Sequence, residues 1–150
     1  MQTASDHAVE VLNSLIETTL DSANGYKEAA ENAQSSQVSS MFADRAARRA
    51  QLVSELQQEV RSFGGEPEDD QSLMGRIHNK FAEMRGDLMG RDDKGVIDEV
   101  ERGEDVIKAK FEKAAQDTDL PEPARQLVMT EYASIKADHD TISQLKHRTH

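Results

Sequence analysis

The chain has 150 residues, a length typical of one domain. Its formal net charge of -11 at pH 7 disfavours nucleic acids and anionic membranes as partners, because proteins bind both through basic faces. Cysteine is absent, which excludes disulfides and thiolate-bound metals. Because the sequence has no signal-peptide pattern and no run of the ~20 apolar residues that a membrane helix needs, we expect one cytoplasmic domain, residues 1–150.

The first two predicted helices carry apolar side chains at the spacing of a helix face. The first covers about residues 5–32, where Ser5 or Asp6 can cap its start. The second covers about residues 37–63, and Gly64 follows it in the position that a C-terminal cap favours. The short turn "NAQSSQ" between them predicts an antiparallel helical hairpin.

Three further helices are predicted in the rest of the chain. A short one, at about residues 72–88, lies in the connection that follows Gly64. Two long ones cover about residues 92–116 and 121–146, and the turn "DTDLPEP" joins them. Because this turn is also short, the last two helices should form a second antiparallel hairpin.

The order of these elements predicts an all-α fold. The connection between the hairpins is about 28 residues long, enough to return the chain along the whole length of a bundle. One long crossover of this kind is the connectivity of ferritin-like bundles, and it differs from a simple up-down-up-down arrangement. We therefore predict a ferritin-like four-helix bundle of two antiparallel hairpins, joined by a crossover that carries a short helix.

Several polar residues fall on the apolar faces when each helix is drawn at 100° per residue. Counting residues from the two turns places them at similar heights, so they predict one polar layer in the middle of the bundle. The members of this predicted layer are Thr19, Arg49, Glu104, Glu131 and His139. Arg45 and Asp138 fall at the margins of their faces, and Arg48 faces outward.

One interpretation of the layer is a metal site. Ferritin-like di-iron proteins bring a glutamate from each of two helices and a Glu-x-x-His pair from each of the other two into this layer, and such ligands suit iron or manganese. Here the ligands would be Glu104, Glu131 and His139. The pattern is incomplete, because the second helix presents Arg49 and the first helix turns its carboxylates, including Glu28, to the outer side.

The other interpretation is a buried ion-pair network. A guanidinium can bind two carboxylates at once, so Arg49 would supply the positive charge that a metal supplies elsewhere. Glu104 would then be half of a buried pair, and Gly103 beside it would let a neighbouring helix approach closely. This interpretation predicts no bound metal and no other cofactor.

The sequence also resembles a known family. The segments "VERGEDVIKAKFEKAAQDTDLP" and "IKADHD" are similar to those of small bacterial four-helix-bundle proteins in the ferritin-like superfamily, and the resemblance covers nearly the whole chain. That family is catalogued as a domain of unknown function. The resemblance implies the bundle fold and a bacterial source, but no established activity. Related ferritin-like bacterial proteins are associated with stress responses.

Two hypotheses about function follow. In the first, which the sequence favours, the chain is a non-enzymatic bundle that acts by association, as a homodimer or with another protein. In the second, it is a metal-dependent redox or iron-handling protein with a degenerate site. Arg49 discriminates between them, because an inward cation opposes metal binding in the same layer. The sequence shows no phosphate-binding glycine loop and no catalytic triad pattern.

Overall fold

The computed structural model describes residues 3–68 and 92–149, with the backbone alone at residue 149. This part of the chain contains four long helices and no strand: α1 (Ala4–Asn32), α2 (Ser36–Ser62), α3 (Asp93–Ala115) and α4 (Glu122–Thr149). The prediction of an all-α fold with four long helices is confirmed. The short helix predicted at residues 72–88 lies outside the described residues. No helix in the described ranges is long and apolar enough to cross a membrane.

Local side-chain chemistry fixes where the helices begin and end. Thr3 caps α1 through a reciprocal pair of bonds with Asp6, so the cap lies two residues before the predicted Ser5. Asp92 caps α3 by accepting a hydrogen bond from the Gly95 backbone at 2.9 Å. Gly64 ends α2 with a φ of 79°, a conformation that a residue with a side chain rarely adopts.

The apolar side chains form two clusters, one toward each end of the bundle. The first cluster joins the start of α1 to the end of α2, the end of α3 and the start of α4. The second joins the end of α1 to the start of α2, the start of α3 and the end of α4. It follows that α1 is antiparallel to both α2 and α3, and that α2 and α3 run parallel.

Because α2 and α3 run parallel, α2 ends and α3 begins at opposite ends of the bundle. The long crossover predicted from the sequence is therefore confirmed, and with it the ferritin-like connectivity. Helix α1 packs closely against both α2 and α3, and α3 packs closely against α4. Among the described residues, the backbones of α2 and α4 approach one another at few points, and side chains such as Arg48 and Asp138 join the two helices.

Candidate functional site

A layer of buried polar side chains separates the two apolar clusters. Along each helix the clusters leave a gap of about one to two turns, and a polar residue occupies it. The four charged residues of this layer are Arg45, Arg49, Glu104 and Asp138. We call these four residues the arginine layer. Charged side chains are buried at this depth only when they are paired, so the partners of each one decide what the layer does.

Arg49 of α2 lies at the centre of the arginine layer and is 2% exposed. Its Nη1 donates to the Ser22 hydroxyl of α1 at 2.7 Å. Its Nη2 donates to Glu104 Oε2 of α3 at 3.1 Å and to Asp138 Oδ2 of α4 at 3.2 Å. One guanidinium therefore ties α2 to the other three helices.

The contact with Glu104 is the closest charge pair in the arginine layer. Glu104 is 1% exposed, and its Oε1 lies 2.8 Å from Arg49 Nη1. This oxygen receives no well-directed hydrogen bond, so its contact with Arg49 is an ion pair of poor hydrogen-bond geometry. Burial alone would lower the pKa of Arg49, but the adjacent Glu104 carboxylate, together with Tyr26 and Asp138, raises it above its ordinary value.

Arg45 completes the arginine layer one turn before Arg49. Its Nη1 donates to the Tyr26 hydroxyl at 3.4 Å, and its Nη2 lies 3.5 Å from Asp138 Oδ1. The guanidinium carbons of Arg45 and Arg49 lie 5.6 and 5.4 Å from the centre of the Tyr26 ring, within the range of a cation–π contact. Burial and the Glu104 carboxylate raise the pKa of Tyr26, which stays neutral at physiological pH.

The charges of the arginine layer balance without an added ion. Arg45 and Arg49 supply two positive charges, and Glu104 and Asp138 supply two negative ones. Within residues 3–68 and 92–149, no three histidine, aspartate or glutamate side chains are grouped so that they could hold a metal ion. The di-iron centre of ferritin-like proteins therefore does not fit these side chains, because a guanidinium lies among the carboxylates.

The structure brings only two of the predicted layer residues into contact, Arg49 and Glu104. Thr19 is buried, but its hydroxyl donates to the Leu15 carbonyl of its own helix at 2.6 Å and does not join the arginine layer. Glu131 faces α2, and the Nε2 atom of His139 lies 2.6 Å from Asp105 Oδ1 of α3.

Glu131 therefore lines the same cavity as Arg49, whereas His139 pairs with Asp105. The position on α4 that points at Arg49 belongs to Asp138, which the sequence placed at the margin. Ile135 and Ile142 are both buried, and Asp138 lies between them at a spacing of three and four residues. This spacing is the pattern that could have identified it.

Two further expectations are corrected. Glu28 is buried, although its position on α1 predicted an outward side chain. Helix α1 packs against two neighbours, so it buries a wider arc than one apolar stripe. Gly103 is exposed, and a Cβ added to it would meet none of the described atoms within 4 Å. No neighbouring helix in the described part of the chain therefore approaches Gly103 closely.

A cavity of about 190 Å³ opens between α2 and α4, next to the arginine layer. Arg49 and Asp138 form one end of it, and Glu55 and Glu131 also line it. Partial burial and the neighbouring Glu55 carboxylate raise the pKa of Glu131 to about 7. Sequence reasoning missed the pairing of Glu131 with Glu55, since like charges seldom face each other.

Comparison with known proteins supports the fold. A two-domain protein from Anabaena variabilis, with DJ-1/ThiJ/PfpI-like and ferritin-like domains, superposes on this chain with a TM-score of 0.79 at 16% sequence identity. The match covers 99% of this chain and 41% of the Anabaena chain, so this chain spans less than half of that protein. None of the curated proteins compared with the chain matches it. The family described as Domain of unknown function (DUF2383) matches residues 7–117, and the chain belongs to that family.

Proposed function

We propose that this protein is a non-enzymatic ferritin-like bundle that acts through association, with the arginine layer in place of a metal centre. The observation that carries the proposal is the position of Arg49, whose guanidinium contacts both Glu104 and Asp138 in the middle of the bundle. These carboxylates have a permanent cationic partner, because a guanidinium does not deprotonate in proteins.

A metal ion in the same layer would be opposed by charge. Two unit charges 4 Å apart interact by about 4 kcal/mol at an effective dielectric constant of 20, so a divalent cation would be repelled by roughly 8 kcal/mol at that distance from the guanidinium. The carboxylates could bind it only after releasing Arg49, and the guanidinium would then need new partners. The arginine layer therefore favours a structural role over redox or iron-handling chemistry.

The partner would be a second copy of the chain or another protein. Val106 on α3 and Met129 on α4 are large apolar side chains that are more than half exposed, and both lie on the second hairpin. A net charge of -11 repels a second copy and attracts a basic partner. We place the protein in the bacterial cytoplasm and, by the same proposal, among proteins of the stress response.

Metal analysis of protein purified from cells grown with added iron, and separately with added manganese, tests the proposal. We expect far less than one metal ion per chain for the native protein. Stoichiometric iron or manganese that is lost in Glu104→Ala would contradict it and support the metal-dependent alternative.

Sedimentation at two ionic strengths tests the association. Self-association should strengthen with added salt because salt screens the repulsion between acidic chains, whereas binding to a basic partner should weaken. A chain that stays monomeric at high salt would exclude the homodimer and leave a different protein as the partner. The variant Val106→Glu should weaken self-association if the exposed apolar side chains of the second hairpin form the contact.

A further inference from the structure

The side of the bundle between α2 and α4 is closed by facing side chains that form three rungs. On each helix the residues are four and then three positions apart, the spacing that places side chains on one face. All of them line the cavity between the two helices, and they are Arg48, Leu52 and Glu55 of α2 and Asp138, Ile135 and Glu131 of α4.

The three rungs differ in chemistry. At one end, Arg48 Nη2 donates to Asp138 Oδ1 at 3.3 Å, which is an attractive pair. Leu52 and Ile135 form the middle rung, where both side chains are buried. At the other end Glu55 and Glu131 line the same cavity from facing helices, close enough for each carboxyl group to affect the charge of the other. Two ionised carboxylates at that distance repel, whereas a carboxyl group and a carboxylate that share one proton form a strong hydrogen bond.

We infer that the Glu55–Glu131 pair is a proton-operated latch, which holds α2 and α4 together while the two carboxyl groups share one proton and loosens that side of the bundle when the proton is lost. The cavity gives water and protons access to the pair. Few backbone contacts oppose a small separation of α2 from α4, because these helices approach closely at few points.

The charged groups around the latch determine the direction of its response. Burial and the Glu55 carboxylate of α2 favour the protonated form of Glu131, and Arg49 of α2 favours the ionised form. Asp138 of α4 lines the same cavity, while Glu104 of α3 and Tyr26 of α1 contact Arg49. Loss of the proton therefore creates a second carboxylate that competes with Asp138 for Arg49, and this couples the latch to the arginine layer.

The sign of the pH effect follows from the raised pKa of Glu131, about 7 in the fold. Between the ordinary glutamate pKa of ~4.3 and about 7, the folded protein holds a proton that the unfolded chain has released. The contribution of the latch to stability is thus complete at the acidic end of this range. It is lost as the pH rises through about 7, which is opposite to the behaviour of an ordinary carboxylate ion pair.

Thermal unfolding between pH 5.5 and 8.5 is compared for the native chain, Glu131→Gln and Glu55→Gln. Glutamine keeps the shape of a protonated glutamate and cannot ionise. We expect the Tm of the native chain to fall relative to both variants as the pH rises through about 7. All other side chains are the same in the three proteins, so the difference between the curves isolates the pair. Glu112→Gln, at an exposed position on α3, is the matched control and should follow the native curve.

Carboxyl NMR and hydrogen exchange complete the test. The Glu131 carboxyl should titrate near pH 7 in the native chain and return toward the ordinary glutamate range in Glu55→Gln. Amide exchange in the facing turns of α2 and α4, corrected for the intrinsic rate, should rise above pH 7 in the native chain alone. Titration of Glu131 with the ordinary carboxyl groups, parallel Tm curves, or equal exchange in native and Glu131→Gln protein would each overturn the proposal.

Discussion

Replacing Arg49 by methionine removes the central charge of the arginine layer while keeping most of the apolar stem of the side chain. The variant leaves Glu104, which is 1% exposed, without its ion-pair partner, while Asp138 retains Arg45 and Arg48. The neighbouring residue provides a matched control, because the side chain of Arg48 is 57% exposed and bonds to the same Asp138. Arg48→Met thus removes an equal charge from the surface.

The two substitutions should lower the free energy of unfolding by very different amounts. Removing one partner of a buried ion pair costs about 3–5 kcal/mol, because the other charge stays buried and uncompensated. An exposed pair contributes about 0–1 kcal/mol. For a chain of this size, 1 kcal/mol lowers Tm by about 2–4 °C, so Arg49→Met should lose about 6–20 °C and Arg48→Met less than about 4 °C.

Thermal unfolding followed by circular dichroism measures the difference. The deficit of Arg49→Met should shrink at acidic pH, since an unpaired buried Glu104 gains stability by taking up a proton. The double variant Arg49→Met with Glu104→Gln should recover much of the loss at neutral pH, because both buried charges are then absent. Equal Tm changes for Arg49→Met and Arg48→Met would refute a buried charge network at this position.

Two further predictions concern other sites. In a spectrophotometric titration of the folded protein, Tyr26 should stay neutral until the chain unfolds, because burial and the Glu104 carboxylate raise its pKa. The variant Tyr26→Phe identifies its signal, and ionisation of Tyr26 before unfolding would contradict the burial. Gly103→Ala should stabilise the protein by up to about 1 kcal/mol, because Gly103 is exposed within a helix and an added Cβ meets none of the described atoms. Gly65→Ala should destabilise the protein by about 1–3 kcal/mol, because the new Cβ would lie 2.5 Å from a Val9 methyl. Chemical denaturation that changed the free energy of unfolding of both variants in the same direction would contradict this.

The helices and their order could be predicted because apolar spacing and short turns are local signals. Arg49 and Glu104 could also be identified, since each interrupts a stripe of large apolar residues on its helix. The crossover could be predicted from the length of the connection between the two hairpins alone. These features depend on one helix at a time, and sequence periodicity reports on one helix well.

The partners of Arg49 could not be predicted with the same accuracy. On α4 the apolar residues are sparse, so the centre of the inner face could be displaced by one position, and His139 was expected where Asp138 lies. Burial of Glu28 depends on α1 having two close neighbours, and the Glu55–Glu131 contact depends on how α2 and α4 align. Such pairings arise from packing between helices, which no single helix encodes.

A crystal structure of the protein grown with excess Fe²⁺ or Mn²⁺, with anomalous scattering measured at the metal edge, decides whether the arginine layer replaces a metal centre. We expect no anomalous peak between Glu104 and Asp138, with the Arg49 guanidinium bonded to both carboxylates as it is here. A metal ion bound to Glu104, with the Arg49 side chain displaced from the layer, would contradict it.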